Sequence, residues 1–178
     1  MIAMAIFTVV VTIGIGSVLD AINQHHRTEN MRTVMDNLNF MMEDMARNIR
    51  LGSNMHCGPD PVLDTMGNIL RQNCPTGGYK LVFNDLNGTQ VTYFISPTTN
   101  QVMKQEGTDS PQVITPTEVT MTFTDSGFTV RGAKTSTEEP TDISQPTVVI
   151  RLAGTISYKG IASQFAIQTA VAVRALDS

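Results

Sequence analysis

The sequence predicts an α+β protein: a long N-terminal spine helix, half membrane-spanning and half amphipathic, packed on an antiparallel β-sheet. Three observations carry this. The first nineteen residues hold no charge, and the twelve basic and sixteen acidic side chains all follow them. Residues 31–49 then repeat apolar side chains at helical spacing. Beyond residue 52, threonine-rich runs alternate apolar and polar between turn residues, which is the pattern of strands. The expected organisation is a spine at 1–52, with 1–19 in the membrane, and an extracytoplasmic sheet domain at 53–178.

Composition narrows the class. Charged residues make up 16% of 178, below the usual quarter of a soluble domain. A second stretch as apolar as the first is absent from the sequence, which excludes a polytopic membrane protein. A net charge of −4 with a pI near 5.2 argues against a nucleic-acid partner, which would call for a basic face. Hydrophobic residues at 41% suffice for a packed core.

Residues 1–19 reach most of the way across a hydrocarbon layer of about 30 Å, at about 1.5 Å per helical residue. Thr8, Thr12 and Ser17 are tolerable there, because their hydroxyls can bond back to helix carbonyls. Ile2, Ile6, Phe7, Val10 and Ile13 are the apolar positions for membrane and assembly contacts. A cleaved secretory signal would need a basic start and a small-residue cleavage site; neither is seen, so a retained helix is the reading. Gly14 and Gly16 each cost about 1 kcal/mol in a helix interior. Two explanations stand open: close helix–helix contact, or a built-in weak point where the helix can stretch.

The helix continues. Met31, Val34, Leu38, Met41, Met45 and Ile49 follow steps of three and four, giving one apolar stripe. Arg32, Asp36, Glu43, Asp44 and Arg47 lie between them on the polar side. Gly52, after Arg47 and Arg50, reads as a helix stop. Eight of the eleven methionines fall in residues 1–55, where an unbranched side chain fills irregular helix contacts.

The rest reads as strands. Residues 79–83 and 89–95 form a hairpin around the turn 84–88. A short strand follows at 101–104. Residues 118–124 turn at 125–127 into 128–131. Residues 147–157 and 161–173 make a long C-terminal hairpin joined at 158–160. This gives one antiparallel sheet of about six or seven strands, with one face for the helix stripe to cover. Residues 106–116 and 132–146 read as loops.

Cys57 and Cys74 enclose a Pro- and Gly-containing segment. Outside the cytoplasm a disulfide between them is favoured; zinc would need more ligands than these and His56. His25 and His26 point about 100° apart on a helix and read as interface residues. Asp85, Asn87 and Thr89 suit a tight turn better than a calcium loop, which would need a later bidentate Glu. No catalytic motif is recognisable, so the reading is non-enzymatic, with no cofactor and no metal.

An apolar helix that continues as an amphipathic spine under a threonine-rich antiparallel sheet resembles the type IV pilin and pseudopilin superfamily. Residues 1–7, Met-Ile-Ala-Met-Ala-Ile-Phe, look like the interior of the family's N-terminal helix. Residues 31–52, with Asn-Leu-Asn-Phe and Glu-Asp-Met-Ala-Arg-Asn-Ile-Arg, are similar to the helix of minor pilins. The family's basic leader, cleavage Gly and Phe-Thr-Leu-Ile-Glu are missing before the apolar run. The chain is therefore expected to begin about one and a half turns into the mature helix, and Met1 to be a misassigned or trimmed start. The resemblance implies a pilus or secretion-pseudopilus subunit whose partners are other pilin or pseudopilin subunits. It would sit in the cytoplasmic membrane before assembly, sheet domain outside, and in an extracellular filament afterwards. A prepilin peptidase would process the leader if present; neither cleavage nor methylation is assigned to a residue here. The competing class is a membrane-anchored binding or adhesion protein that does not polymerise.

Overall fold

The computed structural model describes residues 2–58, 71–133, 145–158 and 161–174, without the side chains of residues 20, 23, 26 and 27. Helix α1 spans Ile2–Leu51 as one uninterrupted element, about 75 Å at 1.5 Å per residue. No proline precedes Pro59, so nothing in the sequence breaks its hydrogen-bond ladder.

The helix ends beside Gly52, whose N–H reaches back 3.1 Å to Ile49 O. The helix stops at Gly52 as expected, but not through a left-handed cap, since Gly52 is absent from the positive-φ positions. Its missing Cβ matters instead: a Cβ there would overlap the Phe83 ring and come within 3.2 Å of Asn84 O. The residue is small because the first strands pass close to the helix end.

Among the described residues ten strands follow, in two sheets rather than the single sheet expected. They are β1 (Ser53–Cys57), β2 (Cys74–Gly78), β3 (Lys80–Asn84), β4 (Gln90–Ile95), β5 (Val102–Glu106), β6 (Gln112–Val113), β7 (Val119–Met121), β8 (Gly127–Arg131), β9 (Thr147–Tyr158) and β10 (Ile161–Ala172). One sheet runs β1-β3-β4-β5-β6 and the other β10-β9-β8-β2, with β7 also on β9; all pairs are antiparallel. The chain passes between sheets from β2 to β3 within one residue. Backbones crowd at that corner: a Cβ on Gly78 would lie 2.8 Å from Gly58 N, and one on Gly127 would lie 2.9 Å from Gly78 O.

Three further sequence expectations change. β1 and β2 were not expected as strands, because Ser-Asn-Met-His-Cys and Cys-Pro-Thr-Gly-Gly lack alternation; both are sheet edges, where Pro75 is tolerated. The 106–116 loop contains β6, paired to β5. The 132–146 loop is described only at its ends. Finally, β7 and β8 do not form the expected hairpin around 125–127. Both pair with the same side of β9, one after the other, with a 3-10 turn at Phe123–Asp125 between them. Ser126 bridges the gap: its Oγ donates to Ala153 O and accepts from Ala153 N, each at 2.9 Å. One buried hydroxyl thus replaces the missing strand at that point of the ladder.

A single apolar cluster joins the helix stripe to both sheets, from Leu38 and Met45 to Phe83, Tyr93, Phe128, Ile150 and Leu152.

Candidate membrane and assembly surface

The apolar half of α1 makes the surface. Every side chain from Ile2 to Leu19 is exposed, including Ile2, Ile6, Phe7, Val10 and Ile13. This stretch is long and apolar enough to cross a membrane. Its polar groups are internally satisfied. Thr8 Oγ1 donates to Met4 O at 2.8 Å, Thr12 Oγ1 to Thr8 O at 2.7 Å and Ser17 Oγ to Ile13 O at 3.1 Å. Such back-bonding lets hydroxyls enter lipid without an orphaned donor. A Cβ built on Gly14 or Gly16 meets nothing within 4 Å. Neither glycine is required by packing inside this chain.

The other half is held by the protein itself. Val34, Leu38, Met41, Met45 and Ile49 are buried, and Met31 is partly so. Met42 is buried as well, and Met35 and Ala46 are partly covered. Those three were not singled out from sequence, although Met42 follows Leu38 by four and precedes Ile49 by seven, which widens the stripe. Phe40 is the exception, 75% exposed on the polar side of the seated half.

A polar clamp supplements the stripe. Asn48 Nδ2 donates to Tyr93 Oη at 3.1 Å and to Asp44 Oδ2 at 3.2 Å. Tyr93 is fully buried, so its hydroxyl needs this partner. Burial is the main cause that raises the phenol above its ordinary value, the Asn48 bond and nearby Lys104 opposing it. For Lys104, partial burial pulls its pKa down, but the Glu106 hydrogen bond, with Tyr93, the Glu106 charge and Asp44, outweighs it and raises the ammonium. Lys104 Nζ lies 2.6 Å from Glu106 Oε1 and 6.0 Å from the Tyr93 ring centroid. The clamp is not legible along the chain, because its helix members Asp44 and Asn48 lie 45 or more residues from Tyr93, Lys104 and Glu106.

Cys57 and Cys74 form a disulfide, Cα atoms 5.9 Å apart. It joins β1, an edge of the first sheet, to β2, an edge of the second. Closing a loop of this length removes about 3 kcal/mol of unfolded-chain entropy in the simple model. His25 is exposed, with Nδ1 3.6 Å from Glu29; the His26 side chain lies outside the described residues. Asp85 Oδ1 accepts from Asn87 N at 2.8 Å and Thr89 N at 2.7 Å, the geometry of a side-chain-closed turn.

Comparison with protein-family models, with curated proteins and with solved structures finds no match to this chain.

Proposed function

We propose that the chain is a structural subunit of a type IV pilus-like or type II secretion pseudopilus-like filament, assembled through its apolar helix. The observation that carries this reading is the division of one continuous helix. Ile2–Leu19 is bare on every side, while the part from Met31 onward is sealed into the sheet domain by Leu38, Met45 and Ile49. Before assembly the bare half lies in the cytoplasmic membrane with the sheet domain outside, and the disulfide suits that oxidising side. Assembly exchanges lipid for like helices. The apolar area covered is similar in both places, so the transfer need not be strongly uphill. A membrane-anchored binding protein that never polymerises would share the anchor and differ in this last step.

Single cysteines at Ile6, Val10 or Ile13 separate the two in cells that produce the full chain. Oxidation should give a ladder of covalent multimers, and the chain should appear in the sheared cell-surface fraction. A monomer retained in the membrane without a ladder would leave only the anchored binding protein. Release from membranes by a carbonate wash would overturn both.

A further inference from the structure

Among the described residues, strand β10 ends its sheet with an unpaired edge. It pairs with β9 along all of Ile161–Ala172, and no other described strand reaches its far side. Proteins guard such edges with charge, proline, bulges or brevity, because unpaired N–H and C=O groups template another strand. β10 uses none of these: its twelve residues contain no charge, proline or glycine, and its register with β9 is unbroken.

The ladder shows which groups are free. Val173 N donates to Pro146 O at 2.8 Å, which continues the β9–β10 register as a hydrogen-bonded pair. Alternation then assigns the odd-numbered residues to β9 and turns the N–H and C=O of even-numbered residues outward. Beyond Ala172 the helix end takes over, Arg174 N donating to Arg50 O at 2.9 Å. On the inner face Phe165 and Ile167 are only partly covered by the core.

The strand is also its own chemical mirror about Ala166. Phe165 answers Ile167, Gln164 answers Gln168, and Ser163 answers Thr169. Further out, Ala162 answers Ala170 and Ile161 answers Val171. We propose that β10 pairs antiparallel with β10 of a second copy, on a two-fold axis through Ala166, joining two sheets into one. A two-fold interface must be self-complementary, and this register sets amide against amide, hydroxyl against hydroxyl and alanine against alanine. Moving the axis to either neighbouring residue would set Gln164 or Gln168 against Ala166. Ala166 is one of the residues whose main-chain groups face outward, so the axis falls on a hydrogen-bonded pair, with about ten main-chain bonds across 162–170. Phe165 and Ile167 gain each other as cross-strand partners.

The axis has a consequence for direction. A helix packed on the sheet lies along its face, so the two-fold reverses it. The apolar halves leave the pair in opposite directions. The pair joins copies anchored in facing membranes, or in oppositely running filaments, rather than neighbours in one membrane. It does not depend on the filament reading.

Because Cys57 and Cys74 are joined to each other, one added thiol reports one contact. In the purified full chain in detergent, Ala166→Cys should form a covalent dimer on mild oxidation, since opposed hydrogen-bonded residues lie about 5.5 Å apart. Ala162→Cys alone should not, because its symmetry mate is about 27 Å away along the strand; with Ala170→Cys added it should. Gln164→Lys with Gln168→Lys sets like charges opposite each other twice and should weaken the dimer about tenfold. Gln164→Lys with Gln168→Glu should restore it. These side chains are exposed, and circular dichroism checks that each variant folds. A monomer at all concentrations, equal cross-linking by Ala162→Cys alone, or indifference to the charge pairs overturns the proposal.

Discussion

The two halves of α1 use the same kinds of side chain and meet opposite surroundings. Ile6, Phe7 and Val10 are 60%, 70% and 61% exposed, whereas Leu38, Met45 and Ile49 are fully buried. The difference lies in arrangement. An apolar stripe can be satisfied by the one sheet face available to it, and the protein's own strands supply that face. A cylinder apolar all round needs a medium that surrounds it, and a single domain with one packing face does not provide one. The comparison teaches that hydrophobicity alone does not mark core; its angular distribution decides whether the partner is internal.

Core truncation should break the symmetry of the two halves most clearly. Leu38→Ala should cost about 3 kcal/mol of stability, while Ile6→Ala should leave urea unfolding of the sheet domain in detergent unchanged. Equal losses would end the distinction between seated and bare halves. Replacing Cys57 and Cys74 together by serine should cost about 3 kcal/mol and leave membrane retention intact, since the bridge ties sheet to sheet and lies outside the apolar run Ile2–Leu19. Ser126→Ala should cost about 2 kcal/mol, the penalty of stranding the Ala153 N–H. Calorimetry of the pure chain reads both.

The clamp between the seated half and the first sheet gives a smaller, pH-dependent effect. Tyr93 and Lys104 are both raised in the folded state, above ordinary values of 10.0 and 10.5. A raised group holds its proton longer folded than unfolded, so its stabilisation is complete below the ordinary value and is lost as pH rises through the folded one. Stability should therefore fall above about pH 10, and Tyr93→Phe should flatten that fall while costing about 1 kcal/mol at neutral pH. An unchanged alkaline slope would remove Tyr93 from the clamp. The smallest effect on the fold belongs to Gly14→Ala with Gly16→Ala. Open space around both sites predicts no loss in the sheet domain, so any change in multimer ladders reports contacts between chains.

Much of this was legible in the sequence for a local reason. A charge-free run, a stripe at steps of three and four, and two long alternating runs at 147–157 and 161–173 depend only on the period of the backbone. The disulfide partners could be read because only two cysteines exist. The clamp could not, because Asn48 and Tyr93 signal nothing until a strand brings the phenol to the helix. The β7–β8 pairing misled for a related reason. A turn between two alternating runs usually makes a hairpin, but β9 is long enough to accept both runs on one side, and Ser126 covers the gap.

The sequence by itself determined where charge stops, where the helix changes from all-round to one-sided apolarity, and the mirror pattern of β10. These are properties of order along the chain. Only the tertiary structure decided that the strands divide into two sheets, that Gly52 is small to clear Phe83, and that no other described strand pairs with the outer edge of β10. Those depend on which distant segments arrive at the same place, and backbone pairing carries no residue code that announces its partner in advance.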